Sequence, residues 1–193
     1  MSEAFKKQYN ECCSAVLDEL SRTLSSIDTE NLERLSKEIL KADQVFFIGV
    51  GRVLLSLQSV CKRFAHLGIK THYVGEITEP HFNEGDLLVV GSGSGGSVFP
   101  LNIAKKARQM VPGCTIVHVG SNPNSEMKDI ADFMVRIPVR TKFYLEDEID
   151  SVQPMTTLFE QSVLLVGDIL AKMLIDNEHL EMKSLWQYHA NLE

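Results

Sequence analysis

Long apolar runs, basic clusters and paired metal ligands are all missing from this 193-residue sequence. Its apolar runs fall far below the length of a bilayer span, and the opening Met-Ser-Glu-Ala-Phe-Lys-Lys carries no signal-peptide core, so cytoplasmic residence without membrane contact is the expectation. The four cysteines, Cys12, Cys13, Cys61 and Cys114, show no Cys-x-x-Cys or Cys/His spacing, which predicts buried free thiols rather than disulfides or a zinc site. No two His or Asp/Glu positions fall at a metal-ligand spacing, and neither a metal nor a cofactor is expected. Lys and Arg number 19 against 26 Asp and Glu, a net charge of −7 without a basic stripe, which argues against nucleic acid as the main partner. Two nucleotide motifs are absent as well. No Gly-Lys-Ser or Gly-Lys-Thr occurs, and Leu54 stands where a dinucleotide fingerprint needs its third glycine. There is no internal repeat.

What the sequence does have is a short apolar run feeding into glycines and serines, Leu88 to Ser97 (Leu-Val-Val-Gly-Ser-Gly-Ser-Gly-Gly-Ser). Glycines let a backbone approach an anion closely, serine hydroxyls and N–H groups supply neutral donors, and a following helix adds its positive dipole end. A plain flexible Gly/Ser turn has the same composition, but not the same placement between a buried strand and a helix.

The surrounding pattern predicts an α/β fold. Phe5, Tyr9, Cys12, Val16, Leu17, Leu20 and Leu24 recur at helical spacing over residues 3 to 24, and Asp28 is placed to cap a second helix to about Lys41, with Leu32, Leu35, Ile39 and Leu40 as its buried stripe. Strands are then expected at 44–48, 70–74, 86–90, 114–119 and 132–137, with helices at 52–66, 97–110 and 124–131. An acidic connector, 146–150, precedes an apolar helix over about 154–175 and a shorter one ending near His189. Five apolar strands among helices imply a doubly wound, five-stranded parallel sheet with helices on both faces, preceded by two N-terminal helices.

Ligands of such sheets bind beyond the carboxyl ends of the strands, where strand order reverses. The first strand ends in Gly49-Val50-Gly51-Arg52, and the serine loop follows another. A cation at a helix start opposes the helix dipole, so Arg52 there is better explained by an anion it meets. Glu160 is expected two turns into an apolar helix beside Phe159, Val163 and Leu164; a catalytic base and a carboxylate merely stabilised near a helix start are both open from these residues alone. The remaining histidines, His66, His72, His81, His118 and His179, with Thr78, Lys105 and Lys106, read as surface or packing residues.

Ser92-Gly93-Ser94-Gly95 followed by Ser97 resembles the Ser-x-Ser-Gly-x-Ser/Thr loop of sugar isomerase (SIS) domains, which bind the phosphate of phosphosugars. Within that superfamily the whole chain is most similar to the 6-phospho-3-hexuloisomerase family. The shared elements are Gly49 to Arg52, His66 to Gly68, Val74-Gly75-Glu76-Ile77-Thr78-Glu79-Pro80, Asn102 to Ala107, Phe159-Glu160, and His189-Ala190-Asn191-Leu192-Glu193. The chain departs at Val53-Leu54, where the family has Ser-Gly, at Gly96, often glutamate there, and at Thr156, which replaces a glycine.

The resemblance implies one SIS domain over residues 1–193, flavodoxin-like or Rossmann-like, with N-terminal helices in 1–42, the sheet in 43–138 and C-terminal helices in 151–193. It implies an isomerase moving a carbonyl between C3 and C2 of a hexulose 6-phosphate through an enediol. Glu160 would be its base. His189, brought from a neighbouring subunit, would serve ring opening or proton shuttling. Gly51, Arg52, Ser92, Gly93, Ser94, Gly95 and Ser97 would hold the phosphosugar. Family members form dimers or tetramers, so a homo-oligomer, and a homotetramer in particular, with shared sites is expected. Two alternatives stay open: a non-catalytic phosphosugar-binding module, and an SIS isomerase of another sugar phosphate, for which Val53-Leu54 is the reason.

Overall fold

The computed structural model describes residues 2–192; Met1 and Glu193, the two ends of the expected domain and the latter also the end of the C-terminal motif, lie outside the described residues. Five strands form one parallel sheet in the order β2-β1-β3-β4-β5, with β1 Val45–Ile48, β2 Thr71–Tyr73, β3 Leu87–Gly91, β4 Thr115–Gly120 and β5 Phe133–Arg136. The chain runs from β1 outward to edge strand β2 and then crosses back over β1 to β3. Strand order therefore reverses between β1 and β3, whose paired ends are Ile48 and Val90.

Side chains alternate across the sheet. Val45, Phe47, Leu87, Val89, Val117 and Val119 pack against α2 (Thr29–Lys41), α3 (Gly51–Ala65) and α5 (Thr157–Asn177). Phe46, Ile48, Leu88, Val90 and Ile116 face α4 (Val98–Met110) and the plug residue Met127. Because both faces are covered, the central strands read as continuous apolar runs. Asp28 caps α2 as expected, its Oδ1 accepting from Glu30 N at 3.0 Å. Pro100 in the first turn of α4 removes an N–H that has no helical partner there.

Several expectations are corrected. The 124–131 segment makes only a 3₁₀ turn at Glu126–Asp129, because Ser125 is still extended and the turn closes around the fully buried Met127. The last helix is likewise a 3₁₀ turn, Ser184–Tyr188. Cys61 and Cys114 are buried, but Cys12 and Cys13 are exposed. Leu35 and Ile39 of α2 are buried while Leu40 is exposed, and the stripe on α1 (Glu3–Ser25) is partly covered at Val16, Leu20 and Leu24, whereas Phe5, Tyr9 and Leu17 remain more than half exposed. No helix among the described residues is long and apolar enough to cross a membrane.

Besides Thr23, the residue that α1 buries is an acid. Glu19 is 3% exposed and accepts hydrogen bonds from Ser151 Oγ (2.7 Å), Val152 N (2.6 Å) and Gln153 Nε2 (3.0 Å), pinning the segment that leads into α5. Burial alone would raise its pKa, but these donors and Arg22 outweigh it and hold the carboxyl below its ordinary 4.5. A carboxyl with a lowered folded-state pKa stabilises the fold above its unfolded pKa, and that contribution disappears as pH falls through the folded value. Glu19→Gln should therefore cost roughly 1–3 kcal/mol at neutral pH. Denaturant titrations should show this difference shrinking as pH drops below about 4.5; a difference independent of pH would contradict the assignment.

Candidate active site

Three helix starts converge on the carboxyl edge of the sheet. Helix α3 begins at Gly51 directly after β1, α4 begins at Val98 after the serine loop, and α5 begins at Thr157. Each offers unsatisfied N–H groups and a positive dipole end, an arrangement suited to an anion.

The serine loop is built as a cradle. Gly95 N donates back to Ser92 O at 3.1 Å, Gly96 N to Ser94 Oγ at 3.4 Å, and Ser92 Oγ to Ser97 Oγ at 3.3 Å. Gly93 O accepts from Ser121 N and Asn122 N at 2.9 and 3.0 Å, tying the loop to the end of β4. Gly95 sits at φ +65°, and a β-carbon there would lie 2.0 Å from Ser125 Oγ. Only glycine fits both the backbone angle and the space.

Beneath the loop lies His118, 2% exposed, with Nε2 donating to Ser92 O at 2.9 Å. Burial disfavours the imidazolium and holds the His118 pKa below its ordinary 6.5, with the Ser92 carbonyl opposing in part. His118 thus supports the loop as a neutral donor. Of the two places expected for it, surface or packing, His118 takes the interior one, and the sequence offers no cue to which loop it supports.

Glu160 and Arg52 meet at this edge. Arg52 Nε pairs with Glu160 Oε2, Thr156 Oγ1 donates to Glu160 Oε1 at 2.8 Å, and Ser56 Oγ donates to the Glu160 main-chain oxygen at 2.8 Å. Glu160 lies in the first turn of α5 rather than two turns in, because the helix starts at Thr157, later than the apolar pattern suggests. Its side chain is only 8% exposed, against 64% for Arg52. The anion that offsets the unfavourable position of Arg52 is, within the chain, this carboxylate. Nε is engaged with it while the rest of the guanidinium fork faces solvent.

Helices α3 and α5 run side by side in the same direction to make this meeting possible. Gly167 allows their closest approach, since a β-carbon there would lie 2.2 Å from Val60 Cγ2, and Arg63 pairs with Asp168 at 3.2 Å further along. The serine loop joins the same site: a side-chain carbon on Gly93 would lie 3.5 Å from Phe159 Cδ1 and 3.3 Å from Thr141 Cγ2. Thr141 belongs to a loop that the sequence did not single out. It is held by Glu148, which accepts from Thr141 N, Leu145 N and Ser121 Oγ at 3.0, 3.0 and 2.8 Å.

Val53 turns into the fold. Its Cγ1 would lie 3.0 Å from a β-carbon on Gly91, so it packs under the end of β3 beside Leu57. Gly51, Arg52, Ser92, Gly93, Ser94, Gly95, Ser97 and Glu160 are thus brought together. His189 is not. Its ring stacks on His66 at 5.1 Å and touches Trp186 at 5.1 Å, at the far end of α3. Fourteen residues of helix, at 1.5 Å each, separate Arg52 from His66 by about 21 Å.

A cavity of about 320 Å³ lies elsewhere, on the α4 face of the sheet, lined by Phe46, Phe82, Leu88, Ile103 and Met110 among others. It is largely apolar and has no converging helix starts, so the polar strand ends are the better site for an anion. Among the described residues no group of three or more His, Cys, Asp or Glu could hold a metal ion.

The chain is 35% identical over 186 residues to a 3-hexulose-6-phosphate isomerase of Bacillus subtilis, covering 95% of this chain and 98% of that protein. It is 37% identical over 183 residues to a 3-hexulose-6-phosphate isomerase of Mycobacterium gastri, covering 93% and 89%. Among solved structures, a Methanococcus jannaschii protein, whose crystal structure was taken to infer a function of 3-hexulose-6-phosphate isomerase, superposes with a TM-score of 0.79 at 28% identity, covering 95% and 99%. No family model matches the chain.

Proposed function

This chain belongs to the 3-hexulose-6-phosphate isomerase family, and we propose that it interconverts 3-hexulose 6-phosphate and fructose 6-phosphate with Glu160 as the base. The observation that carries this reading is the buried Glu160 carboxylate beside a phosphate cradle at the point where strand order reverses. The serine loop and the start of α4 hold the phosphate, with Gly51 and Arg52 on the opposite wall. Glu160 takes the proton from C2 of the 3-hexulose, the C2–H electron pair forms the C2=C3 bond, and the C3 carbonyl oxygen takes the negative charge of an enediolate. The proton of the C2 hydroxyl passes to the C3 oxygen, and the same carboxyl, exchanging with solvent, delivers a proton to C3 as the C2 oxygen becomes the new carbonyl. One residue suffices, because C2 and C3 are adjacent and can present the same face. The Arg52 guanidinium lies where negative charge develops on the enediol oxygens.

A purely sensing module would leave the Arg52, Thr156 and Glu160 arrangement without a task. Purified protein incubated with fructose 6-phosphate should form 3-hexulose 6-phosphate, detected by enzymatic trapping; turnover of a different phosphosugar alone would reassign the substrate, and binding without turnover would favour the sensor.

We further propose a single SIS domain acting in the cytoplasm as a homotetramer with shared sites. Two observations support sharing. Phe5, Tyr9 and Leu17 of α1, Ile169 and Met173 of α5 and Trp186 leave substantial apolar surface exposed on a lone chain, and the His189 of the same chain lies at the wrong end of α3 to reach Glu160. If His189 serves a neighbour's ring opening, His189→Ala should slow the reaction more from fructose 6-phosphate, which cyclises through O5, than from the 3-hexulose. A fully active monomer by sedimentation would overturn the shared site.

A further inference from the structure

We infer that Thr156 is a positioning residue for the isomerase base: its hydroxyl, diverted from capping its own helix, fixes Glu160 Oε1 so that Oε2, beside Arg52, is the oxygen presented to the sugar. The inference rests on the reading of Glu160 as the base.

Thr156 occupies the N-cap of α5, where a threonine side chain ordinarily accepts a hydrogen bond from an N–H one turn into the helix. It makes no such bond. Its backbone, at φ −106° and ψ 25°, lies outside the extended region usual for a cap, and Oγ1 donates to Glu160 Oε1 instead. A side chain suited to stabilising its helix has been turned to hold a carboxylate.

The preceding residue carries the cost of that turn. Met155 is held at φ +56°, a left-handed conformation unfavourable for a residue with a β-carbon, and the residue is 89% exposed, so no packing of its own explains it. The turn is closed by Thr157 Oγ1 donating to Pro154 O at 2.7 Å. Strain confined to one exposed residue thus sets the approach of Thr156 to Glu160.

The consequence is a base with no free rotation. The terminal torsion of a glutamate is broad, and an unrestrained carboxylate samples many orientations. Here Arg52 fixes one oxygen, Thr156 the other, and Ser56 the main chain at the same residue. Arg52 is mostly exposed and is drawn on by a bound phosphosugar, whereas the Thr156 hydroxyl lies within the turn. When substrate takes up the guanidinium, Thr156 is the side chain that still orients the carboxylate.

Thr156→Val keeps the shape and removes the donor; Thr156→Ser keeps the donor and removes a methyl. Thr156→Val should lower kcat about 10- to 100-fold with KM nearly unchanged, and Thr156→Ser should recover most of the loss. Equal kcat in wild type and Thr156→Val, or equal losses in the valine and serine variants, would overturn the inference, since a residue that only shapes the turn depends on volume rather than on a hydroxyl. A second arm needs no turnover: in crystals of Thr156→Val holding a hexitol 6-phosphate, which has no carbonyl to isomerise, the Glu160 carboxylate should occupy more than one orientation, and a single unchanged orientation would also overturn the inference. Wild-type protein that converts no hexulose phosphate would contradict the isomerase reading instead, and the crystallographic arm would still decide the positioning.

Discussion

Replacing Glu160 by glutamine should lower turnover by on the order of 10³-fold while leaving a folded protein. The two effects separate because they draw on different energies. A thousandfold loss in rate corresponds to about 4 kcal/mol of transition-state stabilisation, which an amide cannot supply because it is no base. The cost to folding is much smaller. Glutamine keeps the volume and an acceptor for Thr156 Oγ1, and the partner cation left behind, Arg52, is 64% exposed and remains solvated. The lost pair therefore amounts to about 1 kcal/mol or less. Substrate binding should be retained, since the guanidinium released from Glu160 is available to an anion. Steady-state kinetics and a thermal melt on the same sample check both halves. Near-wild-type kcat in Glu160→Gln would remove Glu160 from the chemistry.

A single methyl group at Gly95 should have the next largest effect, raising KM for a phosphosugar about 100-fold, or about 2.7 kcal/mol. Two penalties coincide there. The backbone is at φ +65°, which costs a residue with a β-carbon about 1–2 kcal/mol. The new carbon would also lie 2.4 Å from Ser125 Cβ and 3.1 Å from His118 Cε1, atoms that cannot swing aside as a flexible side-chain tip can. The loop must shift, and the Ser94 and Ser97 hydroxyls and the start of α4 no longer converge on a phosphate; each charge-assisted hydrogen bond so lost is worth about 1.5–3 kcal/mol. Ser125 Oγ is buried and makes no hydrogen bond among the described residues, so Ser125→Gly removes the clash without forfeiting one. The pair Gly95→Ala and Ser125→Gly should recover binding in part, with the backbone penalty remaining. Wild-type KM in Gly95→Ala would show that this loop does not hold the phosphate.

The fold was legible where periodicity is local. Alternating apolar strands and helices indicated the parallel sheet, and the Asp28 cap and the start of α4 fell where composition put them. The serine loop was legible because glycine and serine in that order have few other uses between a strand and a helix. The tertiary contacts were not. Nothing local joins Arg52 to Glu160 across 108 residues, or Glu19 to Gln153 across 134. The apolar pattern extends ahead of α5, which hides the true helix start: it points to a second-turn position for Glu160 and gives no sign that Thr156 is its partner. The apolar stripe of α1 is plain in the helical spacing of its residues, but periodicity does not say which molecule covers it, and Phe5, Tyr9 and Leu17 stay exposed on this chain.

In the reaction proposed for this chain, protons leave and return along the C2–C3 bond of a hexulose phosphate. Incubation of the protein with fructose 6-phosphate in deuterium oxide tests it most directly, read by NMR for the position of the incorporated label. The 2,3-enediol requires deuterium at C3 of fructose 6-phosphate together with the appearance of 3-hexulose 6-phosphate, both lost in Glu160→Gln. Deuterium at C1, the mark of a 1,2-enediol, or no exchange and no hexulose product, would rule out a 2,3-enediol reaction on this chain.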